Sequence, residues 1–188
     1  MPKPTKSEID AEIIDRAAAL FARHGFAHTS LQQIADSVNY SKAGILHHYP
    51  SKKAIYDAAL RTGREHMHEL LANVEAIAVG IERDRAIVEA SVDYTFNWPG
   101  VSALVNRLAD KEQDIDPELT EMGLVMYAAL GIDLKAPQQE RIVRVTSAFM
   151  GLGITALLAV RLDLKREWRD HIISAAMNGL GHPNKKTR

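Results

Sequence analysis

Residues 29–52 read TSLQQIADSVNYSKAGILHHYPSK. Thr29 or Ser30 opens a short helix, with Gln33 in the position where its side chain can return a hydrogen bond to the cap. Leu31, Ile34, Ala35 and Val38 recur at steps of three and four and give that helix one apolar face. Asn39 and Tyr40 form the turn, asparagine being tolerant of left-handed backbone angles. Ser41 caps a third helix, on which Ile45 and Tyr49 lie one turn apart and face inward. Pro50 forces Tyr49 out of helical geometry and ends that helix, and Ser51 caps a fourth. Two short helices joined by a tight turn within about twenty residues match the geometry that enters the DNA major groove.

Upstream, Ser7 with Asp10 is a variant capping box. Behind it Ile9, Ile13, Ile14, Ala17, Leu20 and Phe21 repeat as one helical face, and Gly25 supplies the stop. Downstream, the fourth helix is expected from Lys52 to Val79, roughly 42 Å at 1.5 Å per residue, with Gly63 as a soft point. Further helices are expected at about 84–97, 101–111, 117–130, 137–160 and 165–180. Pro117 and Pro137 stand where a first turn tolerates proline. Trp98-Pro99-Gly100 is a break, residues 109–118 form an acidic loop with an N-cap at Asp116, and the tail after Gly181 is expected to be disordered. The chain is thus all-α, of about nine helices. A helix-turn-helix domain is expected at 1–53 and a larger helical domain at 54–188.

The 188 residues are 46% hydrophobic and 25% charged, close to the soluble average. Without cysteine, disulfides, thiol catalysis and cysteine-bound metals are excluded. The N-terminus lacks the apolar core of a signal peptide. The uncharged run Val145–Val160 is shorter than the ~20 residues that span a bilayer. A cytoplasmic protein with no membrane partner is expected. The net charge of −1 is unevenly spread, since residues 1–64 hold nine basic and six acidic side chains and carry +3. A polyanion is therefore expected at that end.

Spacing argues against a metal site. His66 and His68, two apart on a helix, point in nearly opposite directions, and His47 and His48 are ~100° apart around the axis. No nucleophile elbow, dinucleotide fingerprint or phosphate loop is present, so neither enzyme nor cofactor is expected. The chemistry-bearing residues gather instead at the helix-turn-helix. Thr29, Ser30, Ser41 and Ser51 offer hydroxyls at helix starts, and Lys42 and Lys52 add charge. The outer face of the third helix offers Lys42, Ala43, Gly44, Leu46, His47 and His48, small residues for close approach and imidazoles as donors.

From Ile14 to Tyr56 the chain resembles the N-terminal domain of TetR-type transcriptional regulators. Their pattern is LFxxxGFxxTS followed by IAxxAGVSxGxLYxxFxSKExL. Leu20, Phe21, Gly25, Phe26, Thr29, Ser30, Ile34, Ala35, Ser41, His48, Ser51 and Lys52 match it. Asn39 and Tyr40 replace Gly-Val, Ala43 and Leu46 replace a common Gly and Tyr, Tyr49 stands for Phe, and Lys53 replaces an acidic residue. The resemblance implies a regulator, a repressor released from double-stranded operator DNA by a small-molecule effector. It implies DNA contacts from Thr29, Ser30, Ser41, Lys42, Ala43, Gly44, His47, His48 and Lys52, and a packing role for Tyr49. It also implies a C-terminal ligand-binding and dimerisation domain. The alternative is a helical ligand-binding or scaffolding protein without specific DNA binding.

VTSAFMGLGITALLAV, apolar around its whole circumference, is the expected seam of a homodimer, through Phe149, Leu152, Gly153, Ala156 and Leu157, supported by Ile172 and Ala176. A helix buried within the subunit is the competing reading. Candidates to line a largely apolar effector pocket are Met67, Leu70, Leu71, Tyr94, Trp98, Met122, Met126 and Tyr127, residue types that are as often plain core.

Overall fold

The computed structural model describes residues 4–109 and 117–183. These form nine helices, and no strand occurs among the described residues: α1 (Lys6–His24), α2 (Leu31–Ser37), α3 (Lys42–His48), α4 (Lys52–Val74), α5 (Ile81–Asn97), α6 (Pro99–Ala109), α7 (Pro117–Ala129), α8 (Gln139–Arg161) and α9 (Lys165–Gly179). Two compact units result. One takes the chain up to Arg64 and the segment beginning at Trp98, while the other takes Glu65–Asn97 and the chain from α7 onward. The expected boundary after residue 53 is therefore not where the contacts divide, because α6 returns to the first unit. The acidic loop with Asp116 lies outside the described residues.

In the first unit α1 is capped two residues before the expected position. Thr5 and Glu8, rather than Ser7 and Asp10, form the reciprocal capping box. Glutamate has the reach to bond back to the cap N–H, and those bonds hold its carboxyl below the usual range. Ile13, Ala17 and Phe21 of α1 join Ile34, Ala35, Ile45 and Ile55 in the core. Phe21, Phe26 and Tyr56 add three mutually tilted rings with centroids 5.1–5.7 Å apart.

α6 lies along α1 and is tied to it at two points. The Asp15 carboxylate accepts from the N–H groups of Gly100 (2.7 Å) and Val101 (3.0 Å), closing the first turn of α6. Burial nevertheless pushes the Asp15 carboxyl up, those N–H bonds and Arg16 opposing it. The Arg107 guanidinium donates to the Ala22 carbonyl. The tie points are seven residues apart on both helices, so α1 and α6 run parallel. Glycine is required at the first of them, because a Cβ on Gly100 would fall 1.9 Å from the Asp15 carbonyl oxygen.

The second unit is built on α5, α8 and α9, each packed on the other two. Its core draws Ile87, Val88 and Val92 from α5, Leu152 and Ala156 from α8, and Ile172, Ile173 and Met177 from α9. Leu70 and Val74 of α4 and Leu130 complete it. Asp84, 1% exposed, accepts from Arg141 (2.7 Å) and lies 2.8 Å from the His182 ring. It thereby joins the starts of α5 and α8 to the chain beyond α9, so the expected disorder after Gly181 does not extend to His182.

α4 runs unbroken through Gly63 but stops at Val74, five residues before the expected end, and spans about 34 Å. Ile77 turns against the core, and Arg83 takes the Ile77 carbonyl (3.3 Å) and the Ala129 carbonyl (2.6 Å). α8 spans 23 residues, and an 18-residue window within it has a mean hydropathy of 1.7, a length and composition that a core helix and a membrane span share. Here one face of it is core, against α5 and α9.

Candidate nucleic-acid interface

The helix-turn-helix is fixed by its own short-range bonds. Ser30, not Thr29, caps α2, accepting from Gln33 N–H (3.2 Å) while the Gln33 side chain accepts from Ser30 N–H (2.7 Å). Asn39 takes a left-handed φ of 57°, and Tyr40 N–H returns to the Ala35 carbonyl (2.9 Å). Ser41 caps α3 by accepting from Gly44 N–H (3.0 Å). Tyr49 is extended, as the following proline demands, and Ser51 accepts from Ala54 N–H (3.1 Å) at the start of α4. Burial, reinforced by the nearby Asp10 carboxylate, raises the Tyr49 phenol above its ordinary range.

Four expected DNA contacts are used inside the fold. Thr29 is buried, and its hydroxyl donates to the Gly25 carbonyl (2.9 Å), bridging the α1–α2 turn. His48 turns toward α1, with Nδ1 2.6 Å from Asp10 and little of the ring in solvent. Gly44 lies on the flank of α3 against Tyr40, where a Cβ would meet the Ser41 hydroxyl and the Tyr40 ring at 3.3 and 3.4 Å. Its small size serves packing there. Lys52 donates to the carbonyls of Phe26 (2.7 Å) and Thr29 (2.8 Å), with its ammonium 4.3 Å from the Phe26 ring centre. A lysine has three N–H donors, so one remains after those two bonds.

What α3 presents outward is Ser41, Lys42, Ala43, Leu46 and His47, all exposed, while Ile45 on the opposite side is fully buried. Ser30, Gln32 and Gln33 of α2 and Lys53 of α4 are also exposed or half-buried. Lys53 is paired with Asp57 one turn on (2.7 Å), so the charge it adds locally is partly neutralised.

In the second unit the expected dimer seam is turned inward. Leu152, Gly153, Ala156, Ile172 and Ala176 are buried within the subunit, and Phe149 and Leu157 are half-buried. An all-round apolar sequence cannot say which face meets its own subunit; the packing on α5 and α9 decides it. The exposed face of α8 instead carries Val143 (64%), Met150 (60%) and Ile154 (66%), with Ser147 and Gly151 between them.

The expected pocket residues do not form one lining. Leu70 and Met122 are buried, Leu71, Met126 and Tyr127 pack half-buried against the core, and Met67 on α4 is half-buried. Trp98 belongs to the first unit. Tyr94 stacks face to face on His66, 3.7 Å between centroids. The spacing of His66 and His68 excludes a shared metal and points to no other role for His66, yet its Nε2 is buried without a hydrogen-bond partner and burial pushes the pKa of the ring down to about 4. His68 points elsewhere, toward Glu121 (3.4 Å), as a spacing of two requires. A cleft of about 220 Å³ opens between α5 and α9, lined by Arg85, Glu89, Arg169, Asp170, Ile173 and Met177, none of them expected.

Residues 13–59 match the family described as bacterial regulatory proteins, tetR family. The biofilm operon icaADBC negative transcriptional regulator IcaR of Staphylococcus aureus is 37% identical over 60 residues, 32% of each chain. The chain thus spans about a third of that relative's length. An HTH-type transcriptional repressor from Mycobacterium tuberculosis is 26% identical over 168 residues, covering 85% of this chain and 87% of that one. Among solved structures, a TetR-like regulator from Rhodococcus sp. RHA1 superposes with a TM-score of 0.57 at 19% identity, over 96% and 98% of the two chains. The regulatory protein RHA5900 gives 0.55 at 22%, over 91% and 98%. At these identities the shared feature is the fold.

Proposed function

We propose that the chain, whose residues 13–59 match the tetR family of bacterial regulatory proteins, is a cytoplasmic, non-enzymatic, homodimeric repressor that binds operator DNA. The observation that carries the reading is the outward face of α3. Lys42, Ala43, Leu46 and His47 stand exposed on a helix whose other side is locked by Ile45 and by the Asp10–His48 contact. Ser30, Ser41 and the third N–H of Lys52 are donors for phosphates beside that helix. Thr29, Gly44 and His48 support the reader and do not touch DNA.

The second copy docks on the exposed stripe of α8. Val143, Met150 and Ile154 repeat at steps of seven and four along one face, and Ser147 and Gly151 let an identical helix approach closely. A two-fold pair of α3 helices then reads two half-sites, which must lie ~34–36 Å apart for successive major-groove faces. The effector binds the second unit. α4 is one continuous helix that contributes to both units, so a ligand that reorders its C-terminal half changes the setting of its N-terminal half.

Selection of bound fragments from the DNA of the source genome tests the proposal. Enrichment of a two-fold symmetric site, with affinity falling steeply as salt rises, is expected. Binding no tighter than to random duplex would overturn it in favour of a helical ligand-binding protein.

A further inference from the structure

On α3 successive residues turn by about 100°, which sets Lys42, Leu46, Ala43 and His47 side by side in that order across the outward face. Its two edges are polar and its middle is apolar. Leu46 is 39% exposed although it stands one residue from the fully buried Ile45, and Ala43 beside it leaves its end uncovered. Leucine has no atom that can donate or accept, so phosphates and polar base edges gain nothing from it. In the major groove one feature is apolar, the C5-methyl group of thymine. Such contact specifies a base only if the side chain is held in place. Ile45 in the core and His48 against Asp10 provide that restraint on either side in sequence.

We propose that Leu46, backed by Ala43, is a specificity residue that reads the methyl group of a thymine in each operator half-site. The inference rests on the DNA-binding reading and names what that surface selects. Two arms of the test separate the two. First, a high-affinity duplex is selected from a random pool by the full-length dimer. Then each thymine in turn is replaced by deoxyuridine, which keeps the pairing and removes only the methyl group. At one position per half-site the swap is expected to weaken binding about fourfold, and about fifteenfold when both half-sites carry it, the value of one buried methyl group each.

Leu46→Ala is expected to lose a similar factor on the thymine operator and to bind the thymine and uracil forms equally. Leu46→Met, still apolar and of similar volume, is expected to keep the preference. Because Leu46 is exposed, both variants should melt with the parent protein, and binding is compared at matched folded fraction. A uracil penalty that persists undiminished in Leu46→Ala overturns the assignment, as does a wild-type dimer indifferent to uracil at every thymine. Failure to enrich any duplex is a different result, which removes the DNA-binding reading itself and this inference with it.

Discussion

The last residue of α3 is anchored to the first helix of the chain: His48 Nδ1 lies 2.6 Å from the Asp10 carboxylate, across 38 residues of sequence. This contact holds the end of α3 against α1, beside the fully buried Ile45 and the packing of Gly44 on Tyr40. Asp10→Ala and His48→Ala are each expected to cost about 1–2 kcal/mol in urea unfolding and to weaken operator binding. The double variant should cost little more than either single one. Additive losses would show that the two residues act separately.

Gly100→Ala is expected to destabilise the protein by at least about 2 kcal/mol, because the new methyl group meets the backbone of α1 and no flexible side chain can yield. Gly123→Ala, where a Cβ meets nothing within 4 Å, serves as the control and should be neutral or slightly stabilising. Equal melting temperatures for the two variants would refute the close approach of α6 to α1.

Asp84→Ala leaves Arg141 and His182 facing a vacated carboxylate site. A loss of about 3 kcal/mol is expected, toward the lower end for a broken buried pair because Arg141 keeps some solvent contact. Asp84→Asn retains an acceptor and should cost less. The same small effect from both substitutions would mean that the carboxylate contributes little.

His66 makes stability depend on pH. Its ring titrates at about 4 when folded against 6.5 unfolded, so between these values the unfolded chain holds more protons. The contribution is full above pH 6.5 and is lost as pH falls toward 4. It amounts to on the order of 1–2 kcal/mol once solvent screening of a partly exposed ring is allowed for. Removal of the imidazole in His66→Phe should flatten that part of the stability–pH curve, and an unchanged slope would contradict the burial.

Ile154→Glu is expected to yield monomers in sedimentation without lowering the monomer's melting temperature, because the side chain is exposed in the subunit. The cost falls on association, about 2 kcal/mol or more for a central apolar contact. A variant that still sediments as a dimer would move the interface off this face of α8.

Local chemistry was readable in the sequence, and non-local choice was not. Ser30 with Gln33, Asn39, Ser41 and Pro50 each act on neighbours a few residues away, so the helix-turn-helix followed from spacing alone. The roles of Thr29, His48 and Lys52 depended on partners at Gly25, Asp10 and Phe26, which no periodicity exposes. The inward seam failed for a related reason. A helix apolar all round buries whichever face its neighbours fit, and only the packing of α5 and α9 singled out Leu152 and Ala156. Asp84, a single acidic residue near a helix start, resembled ordinary N-terminal charge until Arg141 and His182 met it.

The return of α6 to the first unit bears on how such proteins exchange parts. A hybrid that joins the head of one relative to the body of another by a single crossover after α4 would set α1 from one parent against α6 from the other. Asp15 would then face a foreign residue in place of Gly100, and the Ala22 carbonyl one in place of Arg107. Functional chimaeras of this protein should therefore need two crossovers, the second bringing residues 98–109 along with the first four helices. Such an exchange has to carry Gly100 with Asp15 and Arg107 with the Ala22 carbonyl, although 85 residues separate the members of each pair.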